Sequence, residues 1–485
     1  MKKIFLALLA LVALGAPGCK KFSEFQTDPN KSTTATPDLL LNTVEQSAFQ
    51  STSLNVALAI RQMAVTESAS NYQYYGWTRG DFSNYNNLRQ VIKMEQSAAT
   101  INKPEYLPLS KFFRAWYFLQ LTQNFGDIPY SQALQGEQNQ TTPVYDKQES
   151  IYLAILDDLK AANGLITSGT PSVQGDIIYG GNMQQWKKAI NTLSLRVLMS
   201  LSIKANNTTY NFKQRFADIV NNPAQYPIFG SNADNAQLKF YDLDNDRYPY
   251  YNDNSIQTAY YMEETFVDML KQLKDPRLFS FAQKAPNHSS AADNDFTAYG
   301  GIKGSDPVDV NAKRQVSGEI SRINPRFYSN PTNEPSIAMG YGELQFILAE
   351  AAARGWISGS ANSYYQNGIQ ASMSFYGIDQ AGINSYLAQA AVQLSGADNI
   401  QKIITQKYIA SFMNSGWQPF FENRRTSFPT FDVSGDGVLN NKRVPKRFLY
   451  PQTELQLNQQ NVNDAIKRQF PGGDDINATT WIIQP

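Results

Sequence analysis

The chain has 485 residues, with 42 Lys and Arg set against 42 Asp and Glu, one histidine and one cysteine. That balance leaves no basic surplus for nucleic acid, which needs a dense positive stripe. A single histidine, His288, in the polar run APNHSSAADND, and a single cysteine exclude a His/Cys zinc site and argue against Ser-His-Asp or Cys-His catalysis. No metal and no cofactor is expected, while a glycosidase-like carboxylate pair stays open because carboxylates are plentiful.

The first element is a leader. Lys2 and Lys3 precede an apolar run from Ile4 to Leu14, too short to span a bilayer, and Gly15, Ala16 and Gly18 lead to Cys19. A thiol there suits diacylglycerol transfer, so residues 1–18 read as a lipoprotein signal peptide and Cys19 as the acylated N-terminus. Ordinary cleavage near Ala16 would instead strand a thiol with no second cysteine to pair with. At ~0.8 kcal/mol per buried methylene, the acyl chains hold the protein to the membrane permanently. Residues 19–37, polar with two prolines, read as a flexible tether. Residues 38–485 read as one domain, and no later apolar run is long enough to cross a membrane.

Beyond the tether, helical periodicity alternates with long loops. Tyr72–Asn87 (YQYYGWTRGDFSNYNN) has no period and is rich in tyrosine, which argues for an ordered loop. Tyr74, Tyr75, Trp77, Arg79, Asp81 and Asn84 offer flat rings beside hydrogen-bonding groups, the mixture a sugar surface needs. Helices follow over Lys111–Phe125, with Phe113, Trp116, Tyr117 and Leu121 on one face, and over Ile151–Ile166, with Tyr152, Ile155, Leu156 and Leu159. Gln184–Ile203 repeats the pattern through Trp186, Ile190, Leu193 and Val197, and these aromatics read as core.

Asp242–Asn254 is a second aromatic loop, where Tyr248, Tyr250 and Tyr251, with Asp246 and Asn252, form a second candidate binding cluster. Gln283–Pro335 is a third long aperiodic stretch. Leu344–Ala353 and Asn362–Phe375 read as a helical hairpin, and Asp398–Met413 as a helix with Ile404, Tyr408 and Phe412 inward. Trp417, Phe420, Phe421 and Arg424 read as core or partner contacts. Two acidic runs imitate calcium loops. The run from Asp432 has Arg443 where a bidentate Glu belongs, and the run from Asp242 has Arg247 where a glycine belongs, so both read as solvated loops.

Several stretches together resemble the SusD/RagB family of nutrient-binding outer-membrane lipoproteins of Bacteroidetes, in its SusD-like branch. They include Cys19-Lys20-Lys21-Phe22, Asp28-Pro29-Asn30, Arg114-Ala115-Trp116 and Phe125-Gly126-Asp127-Ile128-Pro129-Tyr130. Further on are Tyr179-Gly180-Gly181-Asn182, Asp275-Pro276-Arg277-Leu278, Leu348-Ala349-Glu350-Ala351 and the closing Arg443-Val444-Pro445 to Tyr450-Pro451. Read physically, Gly126 is a helix C-cap, Asp127 bonds amides of the following turn, and Tyr179–Asn182 caps the Trp186 helix.

The resemblance implies a mostly α fold of four tetratricopeptide-like helix pairs, with irregular loops forming the ligand face. It also implies a non-catalytic surface lipoprotein, facing the cell exterior, that hands an oligosaccharide or peptide to a SusC-like TonB-dependent transporter. The outward orientation rests on the resemblance, since Lys20 and Lys21 are not an acidic export signal. Clustered tyrosines favour a glycan. A RagB-like peptide binder and a surface glycoside hydrolase are the alternatives.

Overall fold

A computed structural model describes residues 35–485, so the leader, Cys19 and all but the last few residues of the tether lie outside the described part. Helices form where apolar stripes recur, and they pack in pairs. Pro37–Ala48 lies on Asn84–Thr100, Leu107–Phe125 on Gln148–Leu165, Met183–Ser200 on Phe212–Asn221, and Tyr341–Ala353 on Ala361–Phe375. Successive pairs join through Leu107–Phe125 with Asn84–Thr100, and through Met183–Ser200 with both Gln148–Leu165 and Tyr341–Ala353. This is the tetratricopeptide-like scaffold that the family resemblance implied.

Every stripe residue named from periodicity is buried. At the centre, the Trp116 ring stacks on Phe49 at 5.6 Å, and Trp186 meets Phe112 edge-on at 5.2 Å. The Trp186 indole donates to Asp176 Oδ2 at 2.8 Å, so its polar edge is satisfied inside the core. Asn182 caps that helix by accepting from the amides of Gln184 and Gln185.

Buried ion pairs tie the later helices together. Glu343 takes Arg196 at two points (2.9 and 2.5 Å), Lys407 reaches Glu422 at 3.0 Å, and Arg425 reaches Glu350 at 2.6 Å. Removing one partner of such a pair leaves a charge uncompensated at a cost of about 3–5 kcal/mol. Asp275 and Arg277, both fully buried, form another, completed by Gln406 and Ser372.

Gly126 ends the Leu107–Phe125 helix at φ +90°, where the Gln469 side chain leaves no room for a Cβ. Asp127 departs from expectation: Oδ1 accepts from the amide of Gln148, at the start of the next long helix, and Oδ2 from Arg468. Two other readings are corrected. Gln283–Pro335 contains the helix Val308–Gln315, and the Asn399–Ala410 helix stops before Met413, which with Ser415 takes a left-handed backbone (φ 58° and 62°).

Residues 443–485 return to the first helices. Arg447 and Arg79 both pair with Asp474, Arg468 pairs with Asp127, and the amide of Ile482 donates to Gln148 Oε1 at 2.9 Å. Among the described residues three two-stranded antiparallel ladders complete the fold; one pairs Ala236–Leu238 with Ser336–Met339 and carries the arm that follows Leu238.

Candidate ligand-binding cleft

The first candidate loop lies against the scaffold, behind the site. Trp77 is 6% exposed, stacked on Phe448 at 4.5 Å and 11°, with Trp417 and Phe420 against it. Tyr75 is fully buried: its hydroxyl donates to Ala59 O at 2.9 Å, Arg61 sits 4.4 Å from its ring, and burial pushes its hydroxyl up to about 12. Tyr74, also buried, donates to Asp306 O. Arg79 bonds Tyr450 O and Asp474, Asp81 accepts from the amide of Ser83, and Asn84 opens a helix and donates to Gln120 Oε1 at 3.1 Å. The expectation of ring faces offered by Tyr74, Tyr75 and Trp77 is corrected. Apolar partners far along the chain, Phe448 and Phe420 above all, cover the Trp77 ring.

The second cluster divides. Tyr248 is buried between Phe240 and Tyr250, and Tyr250, half-buried, donates to Thr52 O at 2.8 Å. Tyr251 is half-buried, with Arg247 5.8 Å from its ring. The acidic run closes on Arg247, whose Nε donates to Asp242 at 2.7 Å and Nη1 to Asp244 at 3.2 Å. That bonding raises the guanidinium above its ordinary value. Lys442 plays the same part in the other run, bonding Asp436 and Ser434 O. Each acidic run thus folds around a cationic side chain of its own. Among the described residues no group of three His, Cys, Asp or Glu is placed to hold a metal. His288 pairs with Glu319 at 2.7 Å on an exposed surface.

Between the Pro37–Ala48 helix and the arm that follows Leu238 lies an open cleft of about 900 Å³. One wall is a row of amides, Asn42, Gln46 and Gln50, spaced four apart along and just beyond the helix. The opposite wall carries Tyr241, 59% exposed, with Asp246 and Arg247. At Gln50 and Ser51 the cleft meets a smaller recess of about 230 Å³, bounded by Trp116, Gln120, Asn124, Arg196 and Trp417. Trp77, Asn84 and Tyr250, three of the residues singled out from sequence, buttress this recess. Trp77 and Tyr72 back Trp417, Asn84 holds Gln120, and Tyr250 holds the backbone of Thr52.

The sequence reading missed Tyr241 and the amide row. The four-residue spacing of Asn42, Gln46 and Gln50 was visible, but a polar helix face is ordinarily only solvated. An exposed ring facing amides and a charged cluster can pack the apolar face of a small ring while bonding its polar rim.

A helical-pair scaffold carrying such a cleft defines a ligand-binding protein of tetratricopeptide-like architecture. The model of the SusD-like family described as starch-binding and associating with the outer membrane matches residues 29–451, and the chain belongs to that family. A candidate nutrient-binding outer-membrane protein from Bacteroides vulgatus is 38% identical, with a TM-score of 0.87 over 93% of this chain and 100% of its own. Two SusD homologues from Bacteroides fragilis are 40% and 34% identical, each with a TM-score of 0.86 over the same shares. No curated protein matches the chain.

Proposed function

We propose that this protein is a lipoprotein, anchored through Cys19 at the outer face of the outer membrane, that captures an oligomeric glycan. It delivers that glycan to a SusC-like TonB-dependent transporter and performs no chemistry on it. Family membership supports nutrient binding at the outer membrane. The observation that carries the glycan reading is the exposed Tyr241 ring across from the amides of Asn42, Gln46 and Gln50, an apolar platform opposite hydroxyl partners.

Affinity electrophoresis and calorimetry of the purified protein against polysaccharide, oligosaccharide and peptide panels test it. Saturable binding to one glycan class, without released products, is the expected result. Binding to peptides alone would move the protein to the RagB-like role, and products in the glycan arm would make it a hydrolase. Cross-linking in intact cells is expected to join it to an outer-membrane barrel.

A further inference from the structure

The recess at the inner end of the cleft carries unpaired hydrogen-bonding atoms of both kinds. Trp116 is 6% exposed, and its Nε1–H has no partner among the described residues. Asn124 Oδ1 and Ser51 Oγ, buried on the same walls, have none either. A buried polar atom left unpaired is destabilising, so the recess calls for a group that accepts from the indole and donates to the amide oxygen.

Charge narrows the choice. Among the described residues Arg196 is the one charged side chain on these walls, and the two-point pair with Glu343 already neutralises it. A carboxylate or ammonium, as at either end of a peptide, would arrive here without a counter-charge. A hydroxyl brings no charge, and the same oxygen both donates and accepts.

Shape narrows it further. Val56, Trp116 and Arg196, all buried in the helical core, line the recess, and its volume of about 230 Å³ suits a single sugar ring rather than a longer stretch of chain. Half-buried Trp417 lines it, and the four rings around that indole cross it at 43° to 88°, none of them parallel to it.

We infer that this recess is a terminal-sugar subsite. On the glycan-capture reading above, the glycan goes in end first. Its last monosaccharide lies beside Trp417, with hydroxyls on Trp116 Nε1, Asn124 Oδ1 and Ser51 Oγ. The rest of the chain runs out past Gln50 along the open cleft.

Calorimetry with linear gluco-, manno-, xylo- and N-acetylglucosamine oligosaccharides of increasing length tests the assignment, using wild type, Asn124→Ala, Ser51→Ala and Tyr241→Ala. The Asn124 and Ser51 side chains make no hydrogen bond to the scaffold, so both variants should keep the wild-type Tm. Each is expected to lose about tenfold in affinity, equivalent to ~1.4 kcal/mol. Stoichiometry should stay at one protein per chain end however long the oligosaccharide. Unchanged affinity in both variants, or a stoichiometry that climbs with chain length, would make the recess a solvent pocket and overturn the subsite. Glycan capture in the open cleft would still stand if Tyr241→Ala weakened binding. Failure of the wild type to bind any of these glycans would overturn both.

Discussion

Two loops with four tyrosines each, 72–87 and 241–254, meet opposite fates. In the first, the rings are driven inward: Trp77 finds Phe448, Trp417 and Phe420, and Tyr75 settles over Arg61. In the second, the chain from Asp242 to Arg247 closes on itself through charge, and the ring just before it, Tyr241, is left in solvent. Aromatic content therefore marks a loop that will be ordered. Whether its rings face protein or ligand is decided by residues far away in sequence.

The comparison breaks first at Trp77. Trp77→Ala removes a buried indole and should cost about 3–5 kcal/mol in denaturant unfolding, with recess binding lost because Trp417 loses its backing. Loss of binding with a wild-type unfolding midpoint would put Trp77 on the ligand after all. The open loop should behave in the reverse way: Tyr241→Ala is expected to keep its Tm while glycan affinity falls about tenfold, near ~1.4 kcal/mol.

A subtler effect comes from beneath the packed loop, where buried Glu263 lies beside Arg61. Burial raises its carboxyl from the ordinary 4.5 to about 7. The folded protein then holds a proton that the unfolded chain has released, so this group's contribution is complete below about pH 4.5 and is lost as pH rises to about 7. Glu263→Gln should flatten that part of the Tm–pH curve, and a variant curve parallel to wild type would refute the assignment. The smallest effect is expected at Arg247→Gln. It should leave Tm unchanged and weaken glycan binding less than Tyr241→Ala does, most visibly at low salt, where unscreened Asp242 and Asp244 repel each other.

The scaffold was legible because helical periodicity is local: Phe113, Trp116 and Tyr117 announce their burial within two turns. The Phe125–Tyr130 motif was legible as a turn for the same reason, although the partner of Asp127 was not, since Gln148 lies 21 residues further on. The site was harder to see. Trp116 is a core residue and also a recess wall, two roles that no stripe distinguishes. Trp417 was read as core or partner contact, yet it lines the recess, half-buried, just after the left-handed residues Met413 and Ser415, which no periodicity announces.

The return of residues 443–485 bears on how the protein is made. Arg468 and Ile482 bond Asp127 and Gln148, which precede them by 341 and 334 residues. Contacts of such sequence separation form late. While the chain is still being synthesised, its first helices lack these partners, and Asp127 has no guanidinium to meet. The early part of the protein thus acquires its last contacts only once nearly everything else has arrived, so its final locking is an event of the completed chain.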